Sequence, residues 1–267
     1  MDQQLNAARF TGEQYVHLYD QFRPSPPIEI ISQGLSYLNS PKPETVRVAD
    51  LGCGTGISTR IWEGYAVAIY GIEPSEAMIS IAQKNNRSGK ITYRTGFAND
   101  TGLPAGSVEI VACSQSFHWM EPVSTLQEIG RILADKGILV IYDVTWPPSV
   151  NYQYEVAYRK LFQKVEEMTL ALNEVIAHKW DKDQHLEQVK KSGLFRFVKA
   201  AYFHKSETFH KEKFIGLALS QGGLEALLKR GFSEEVIGVT AFQQEVAAIQ
   251  DSPANMNFHY KVIYGIR

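Results

Sequence analysis

Short apolar runs alternate with stretches in which apolar residues recur every three or four positions, and this rhythm fills the first half of the chain. Residues 46–51 (VRVADL) read as a buried strand. They lead through Gly52-Cys53-Gly54-Thr55-Gly56 into residues 57–62, which have helical spacing. The pattern then predicts a strand over 66–72, a helix over 75–85, strands over 91–95 and 108–113, a helix over 123–133 and a strand over 137–144. Pro74-Ser75, Leu103-Pro104-Ala105-Gly106 and Asp135-Lys136-Gly137 punctuate these elements as turns. Strands alternating with helices imply right-handed crossovers and a parallel sheet, hence an α/β fold.

Beyond Asp143 the rhythm breaks at Trp146-Pro147-Pro148, and a long helix is predicted over about 153–180. Its stripe is Tyr154, Tyr158, Leu161, Phe162, Val165, Met168, Leu172, Val175 and Ile176. Such a stripe fits either a helix packed on the core or a lid over a ligand pocket. Residues 197–208 and 257–267 alternate as strands that complete the sheet, with a helical segment over 213–219 and a glycine break at Gly222-Gly223 between them. The chain shows no internal repeat and no low-complexity tract.

At roughly 150 residues per domain, the 267 residues suit one large domain with an elaboration. A composition of 44% hydrophobic and 21% charged residues is that of a chain able to bury a core. Lys and Arg total 27 against 29 Asp and Glu, a net charge of −2, which disfavours a nucleic-acid partner. No apolar run approaches a membrane span, and residues 1–10 lack the basic start and apolar run of a signal peptide, so a cytoplasmic protein is expected. Cys53 and Cys113 are too few for a disulfide framework and lack metal-ligand spacing; they read as small buried residues, and no metal site is expected.

The glycines carry the first chemical signal. In open parallel sheets a ligand sits at the carboxyl ends of the strands, where the loop after the first strand opens a helix, and Gly52, Gly54 and Gly56 fall there. The following strand ends on Glu73, and 73 − 52 gives 21 residues, the spacing of a carboxylate that accepts bonds from ribose hydroxyls. Together they point to an adenosine-containing ligand; the competing reading is a tight turn and a solvated glutamate. Dinucleotide sites use G-x-G-x-x-G, whereas here the third glycine comes one residue early. Asp50 at the strand end would repel a pyrophosphate but suits an ammonium, and S-adenosylmethionine carries an ammonium and a sulfonium.

Val48-Ala49-Asp50-Leu51-Gly52-Cys53-Gly54-Thr55-Gly56 strongly resembles the first motif of class I S-adenosylmethionine-dependent methyltransferases, and Gly71-Ile72-Glu73-Pro74-Ser75-Glu76-Ala77-Met78 resembles their second. Gly96 through Pro104 is similar to their adenine-side loop, Cys113-Ser114-Gln115-Ser116-Phe117-His118-Trp119 to the exit of the fourth strand, and Leu126 through Gly137 to the helix and turn before the fifth. Tyr19-Asp20-Gln21-Phe22-Arg23-Pro24 and the Phe-His-Trp signature resemble the small-molecule branch that includes trans-aconitate methyltransferase-like enzymes. The resemblance covers most of residues 9–144.

It implies a single Rossmann-like domain over 1–267. The sheet would be seven-stranded and mostly parallel, in the order 3-2-1-4-5-7-6, with helices on both faces. The core would be about 31–145 and 191–267, and a helical lid would be built from about 1–30 and 146–190. It also implies S-adenosylmethionine as cofactor and S-adenosylhomocysteine as product. The backbone of Gly52, Cys53, Gly54 and Gly56, with Asp50 and Ser114, would surround the methionine part. Glu73 would hold the ribose, Pro74 or Met78 would lie against adenine, and Ala98 beside the adenine amine. Many relatives carry an acidic residue at or just before Asn99, so Asn99 is assigned the amine contact with Asp100 as the alternative. Arg23 lies in the segment that folds over the cofactor, where its fork could grip a carboxylate of the cofactor or of an acidic substrate.

Methyl transfer is an in-line displacement, so the protein supplies alignment, water exclusion and, where needed, a base. His118 beyond the fourth strand could be that base, or could only pack beside Trp119. Phe117, Trp119 and Tyr15 on the substrate side and Tyr19 on the cofactor side could wall the site, where π faces attract a sulfonium, or could be core. Tyr152, Tyr154, Tyr158, Arg159 and Lys160 of the long helix suit an aromatic or an acidic acceptor alike. The expected function is methyl transfer to an oxygen, carboxylate or hydroxyl, of a small organic acceptor, with no nucleic-acid or membrane partner. The alternatives are a catalytically silent partner that binds S-adenosylmethionine and, disfavoured by its glycine spacing, an NAD-dependent oxidoreductase.

Overall fold

The structure is a computed structural model that describes residue 6 and residues 12–38, 42–175, 177–250 and 254–267. Seven strands form one sheet: β1 (Arg47–Leu51), β2 (Ala68–Glu73), β3 (Ile91–Thr95), β4 (Val108–Ser114), β5 (Leu133–Val144), β6 (Phe197–Thr208) and β7 (Asn255–Ile266). Their order is β3-β2-β1-β4-β5-β7-β6, as the resemblance implied. β3, β2, β1, β4 and β5 run parallel, and β7 enters antiparallel to both β5 and β6.

Alternation decides which face each residue serves. Val48 of β1 and Ile138, Val140, Tyr142 and Val144 of β5 join one core. Ala49 and Leu51 of β1 and Leu139 and Ile141 of β5 join another on the opposite face. Helices cover both: α1 (Glu13–Phe22), α2 (Ile28–Ser36), α3 (Ile57–Ile61), α4 (Glu76–Asn85), α5 (Pro122–Ile132), α6 (Tyr152–Ala171), α7 (His185–Lys191), α8 (Lys211–Leu219), α9 (Gly222–Leu228), α10 (Glu234–Ile237) and α11 (Val239–Ala248). Their starts are legible in the chain: the Ser75, Glu121 and Asn151 side chains accept hydrogen bonds from backbone N–H groups in the first turns of α4, α5 and α6.

Three expectations need correction. Asp135-Lys136-Gly137 is not a turn between elements, because β5 begins at Leu133 directly after α5. Lys136 has φ +62°, and the register against β4 slips between Val108 and Ile110, so these residues are a bulge inside the strand. The long helix stops at Ala171 rather than about 180: Asn173 has φ +51°, which ends it, and the chain then turns back until the Trp180 N–H donates to the His118 carbonyl at 2.8 Å. Helices α9, α10 and α11 between β6 and β7 were not anticipated: Gly222 and Gly223, read as a break, are the first residues of α9, and all three helices pack on α6. Residues 1–5 and 7–11 of the expected lid and signal-peptide reading, and Ile176 of the stripe, lie outside the described residues.

Candidate functional site

The carboxyl ends of the parallel strands open into a cavity of about 620 Å³, within the usual range for small-molecule sites. The Gly52–Gly56 loop after β1 forms its floor. Gly52 and Gly54 have φ of +65° and +55° and line the cavity. A Cβ on Gly52 would lie 2.6 Å from Cβ of Ser116, so that glycine is dictated by packing on the β4 exit, whereas a Cβ on Gly54 would meet only the Tyr19 ring at 3.8 Å.

Glu73 at the end of β2 faces the cavity with both oxygens engaged. Oε2 accepts from the Gly54 N–H at 3.1 Å and Oε1 from the Ser75 N–H at 2.9 Å. Burial pushes its carboxyl up to about 7 against these bonds. Pro74, Met78, Phe97, Ala98 and Asn99 also line the cavity. These groups fit an adenosyl ligand.

Arg23 follows α1 and lies between two rings, 4.9 Å from the centroids of Tyr19 and of Trp146. Its Nε donates to Ser220 Oγ, and its Nη2 donates to the Ser220 carbonyl and to Gln221 Oε1. Nη1 is therefore the part of the fork left for a ligand, and the expected two-armed grip on a carboxylate narrows to that nitrogen.

Of the expected site residues, Tyr15, Tyr19, Arg23, Gly52, Gly54, Glu73, Pro74, Met78, Ala98, Asn99, His118 and Trp119 line the cavity. Cys53 and Ser114 line a small hollow beside it. Asp50, Gly56 and Phe117 line neither. Asp50 lies beneath the loop, fully buried, accepting from Thr59 Oγ1 at 2.7 Å, and burial pushes its carboxyl up to about 7. Gly56 is the left-handed N-cap of α3, and Phe117 turns into the core, edge-on to the His185 ring at 4.9 Å. Both cysteines are buried, and burial raises both thiols. On α6, Tyr152, Arg159 and Lys160 are exposed, while Tyr154 and Tyr158 are core. The cavity instead receives Phe162, Val165, Glu166 and Thr169 of that helix.

The other end of the cavity was largely missed from sequence. Gln115, at φ +54° just past β4, and Ser116, Met120, Trp146, Lys179, Lys182 and Gln221 line it. Behind His118 stands Asp143, the penultimate residue of β5, with Nδ1 of His118 3.4 Å from Oδ1 of Asp143 and Nε2 of His185 4.0 Å from Oδ2. Nζ of Lys182 is 2.9 Å from Oδ1 of Asp143 and donates to Gln115 Oε1 at 3.0 Å. Burial pushes His118 down to about 4, against the pull of Asp143. Burial alone would raise Asp143, yet the His118 ring and the Lys182 ammonium hold it well below the usual carboxylate range. A carboxylate at the end of a parallel strand was a signal available in the sequence; His185, 67 positions from His118, offered none.

Among the described residues, His118, Asp143 and His185 are also the cluster with metal-ligand chemistry, their donor atoms within 4.8 Å of one another. The Lys182 ammonium already stands where a cation would approach the carboxylate, so the cluster is neutralised by the chain itself. No helix of the described residues is long and apolar enough to cross a membrane.

A family profile described as "Methyltransferase domain" matches residues 49–141. The yeast protein named "Probable S-adenosylmethionine-dependent methyltransferase CRG1" (Saccharomyces cerevisiae) is 28% identical over 153 residues, which are 53% of this chain and 52% of that protein. The chain thus spans about half the length of the curated relatives it matches. Among solved structures, one from Anaeromyxobacter dehalogenans, provisionally described as a type II methyltransferase, superposes with a TM-score of 0.64 at 18% identity, covering 92% of this chain and 98% of that one. Phosphoethanolamine N-methyltransferase 2 of Haemonchus contortus, solved with phosphomonomethylethanolamine and S-adenosylhomocysteine, gives 0.53 at 17%, covering 94% and 57%.

Proposed function

We propose, from the premise that residues 49–141 are a methyltransferase domain of the class I, S-adenosylmethionine-dependent family, that this chain transfers a methyl group to an oxygen, carboxylate or hydroxyl, of a small organic acceptor. The observation that carries the reading is the Glu73 carboxylate, braced by the Gly54 and Ser75 N–H groups and lining one cavity with Pro74, Met78 and His118. S-adenosylmethionine, when bound, supplies the electrophilic methyl group. Glu73 would accept from the ribose hydroxyls, Pro74 or Met78 would lie against the adenine, Ala98 beside its amine with Asn99 or Asp100 as the amine's partner, and Arg23 would pair with a carboxylate. Direct displacement at a sulfonium needs no metal to create the electrophile.

The acceptor lies beside His118, Trp119 and Met120, under a lid from about 1–30 and 146–190. Gln221, Gly222 and Gly223 add a wall to it, and the rest of the chain serves as the core of the single domain. The lid excludes water during transfer. The similarity to a small-molecule branch supports a small organic acceptor, and net charge −2 supports a partner other than nucleic acid.

Calorimetric titration with S-adenosylmethionine, S-adenosylhomocysteine and NADH on the wild type and Glu73→Ala tests the cofactor. Binding of the first two that weakens in the variant is expected, and tight NADH binding alone would return the reading to an oxidoreductase. Release of S-adenosylhomocysteine with a panel of phenols and carboxylic acids tests turnover. Tight binding with no turnover on any acceptor would favour the silent partner.

A further inference from the structure

The buried cluster behind His118 is larger than a base needs for packing, and its charges are ordered. Asp143 can only accept hydrogen bonds when ionised, and Lys182 at 2.9 Å keeps it so. A neutral imidazole beside that carboxylate carries its single proton on the nitrogen facing it, Nδ1 at 3.4 Å. His118 lines the cavity, and Nε2 is the ring nitrogen not engaged with Asp143. The 3.4 Å separation is looser than a formed hydrogen bond, as such pairs often are without a bound substrate. The same cavity is lined by Trp119, Met120, Trp146 and Phe162, apolar groups that suit an aromatic or enolic ring.

We infer that Asp143, held ionised by Lys182, is a positioning residue that fixes the His118 proton on Nδ1 and leaves Nε2 to take the proton of the acceptor, which is a neutral phenolic or enolic hydroxyl rather than a carboxylate. The inference rests on the methyl-transfer reading for its second half only. In the step, the acceptor O–H gives its proton to Nε2 while the oxygen forms a bond to the methyl carbon. The S–CH₃ bond breaks with its electron pair going to sulfur, so the sulfonium becomes a neutral thioether. The positive charge ends on the imidazole, next to the Asp143 carboxylate, and the proton later leaves to water. A carboxylate acceptor would bring no proton and would give the cluster no task.

The test begins without a substrate. Long-range proton–nitrogen-15 correlation spectra of the whole protein, assigned with His118→Gln, report which ring nitrogen carries hydrogen. The expected wild-type result at neutral pH is a protonated Nδ1 and a bare Nε2, and Asp143→Asn moves the proton to Nε2 at least in part. A wild-type Nε2–H form, a doubly protonated ring, or no change in Asp143→Asn would overturn the positioning role.

Because Asp143→Asn alters a buried charge, Lys182→Met serves as the second variant. The groups facing His118 are Asp143, Lys182, Lys179 and His185, and loss of the Lys182 cation raises the midpoint of His118 protonation; an unmoved midpoint counts against the network. One equivalent of zinc that shifts both His118 and His185 would replace the proposal with a metal site.

Turnover then tests the acceptor. With phenol and 4-nitrophenol, Asp143→Asn is expected to lower kcat roughly 10²- to 10⁴-fold for the weaker acid and less for the stronger, with S-adenosylmethionine affinity kept. Turnover confined to carboxylic acids would overturn the hydroxyl assignment. Failure to bind S-adenosylmethionine would instead remove the methyl-transfer reading and leave the tautomer result standing by itself.

Discussion

Glu73 shows how much one buried carboxylate carries. Burial pushes it up to about 7, and Asp50, equally buried beneath the loop, is pushed into the same range. The unfolded chain releases these protons near pH 4, so the contribution of each to stability falls as pH rises toward 7. His118, pushed down to about 4, acts in the opposite sense, because its contribution is lost as pH falls below the ordinary histidine value. Ligand affinity separates these effects. On the proposed reading ribose hydroxyls donate to the ionised form of Glu73, so binding of S-adenosylhomocysteine is expected to strengthen as pH rises from about 5 to 7, by up to about tenfold per unit, and to level off above. Glu73→Gln is expected to weaken binding roughly tenfold to hundredfold at pH 8, the worth of hydrogen bonds to a charged acceptor, and to flatten the pH dependence; calorimetry across pH 5–9 checks both. This residue was legible from its spacing to Gly52, because a ligand-binding carboxylate at a strand end is a local feature of the chain. Asp143 occupies the equivalent place on β5 and was not read, because its meaning depends on three partners distant in sequence.

At the scale of elements, α1 docks on α8 through a position with no side chain. A Cβ on Gly216 would lie 2.3 Å from the Phe22 ring, and Phe22 immediately precedes Arg23. Gly216→Ala is therefore expected to cost about 1–3 kcal/mol, read as a lower denaturant midpoint, and to weaken cofactor binding by displacing Arg23 from between Tyr19 and Trp146. Asn151 caps α6 by accepting from the Gln153 and Tyr154 N–H groups at 3.0 and 3.2 Å. Asn151→Ala should lower stability by about 1 kcal/mol, measured by chemical denaturation, with little change in the floor of the cavity. The stripe on α6 was visible in the sequence, but its two readings were both incomplete. Tyr154, Tyr158 and Leu161 are core, while Phe162 and Val165 also line the cavity. Periodicity reports that a face is covered and is silent on whether protein or ligand covers it.

For the whole molecule, the cavity is closed by segments far apart in the chain: α1, the β1 loop, the β4 exit, α6, residues 177–182 and the start of α9. Saturation with S-adenosylhomocysteine at about 100 times its dissociation constant should stabilise the fold by about 2.7 kcal/mol. Slowed amide exchange should appear in α1 and residues 177–182 as well as in the β1 loop, and protection confined to the loop would mean that the cap does not engage the ligand. The alternating strands and helices, the glycine loop and the strand-end carboxylate were legible in the sequence by itself. Strand alternation, turn residues and a fixed spacing are properties of neighbouring residues, and the resemblance extended them to the order of the sheet and the place of β7 within it. Tertiary structure alone decided the withdrawal of Asp50, Gly56 and Phe117 from the cavity, the early end of α6 at Asn173 and the meeting of His118, Asp143, Lys182 and His185. Those outcomes turn on which way a side chain points and what burial does to its charge, and both are set by groups that become neighbours only when the chain has folded.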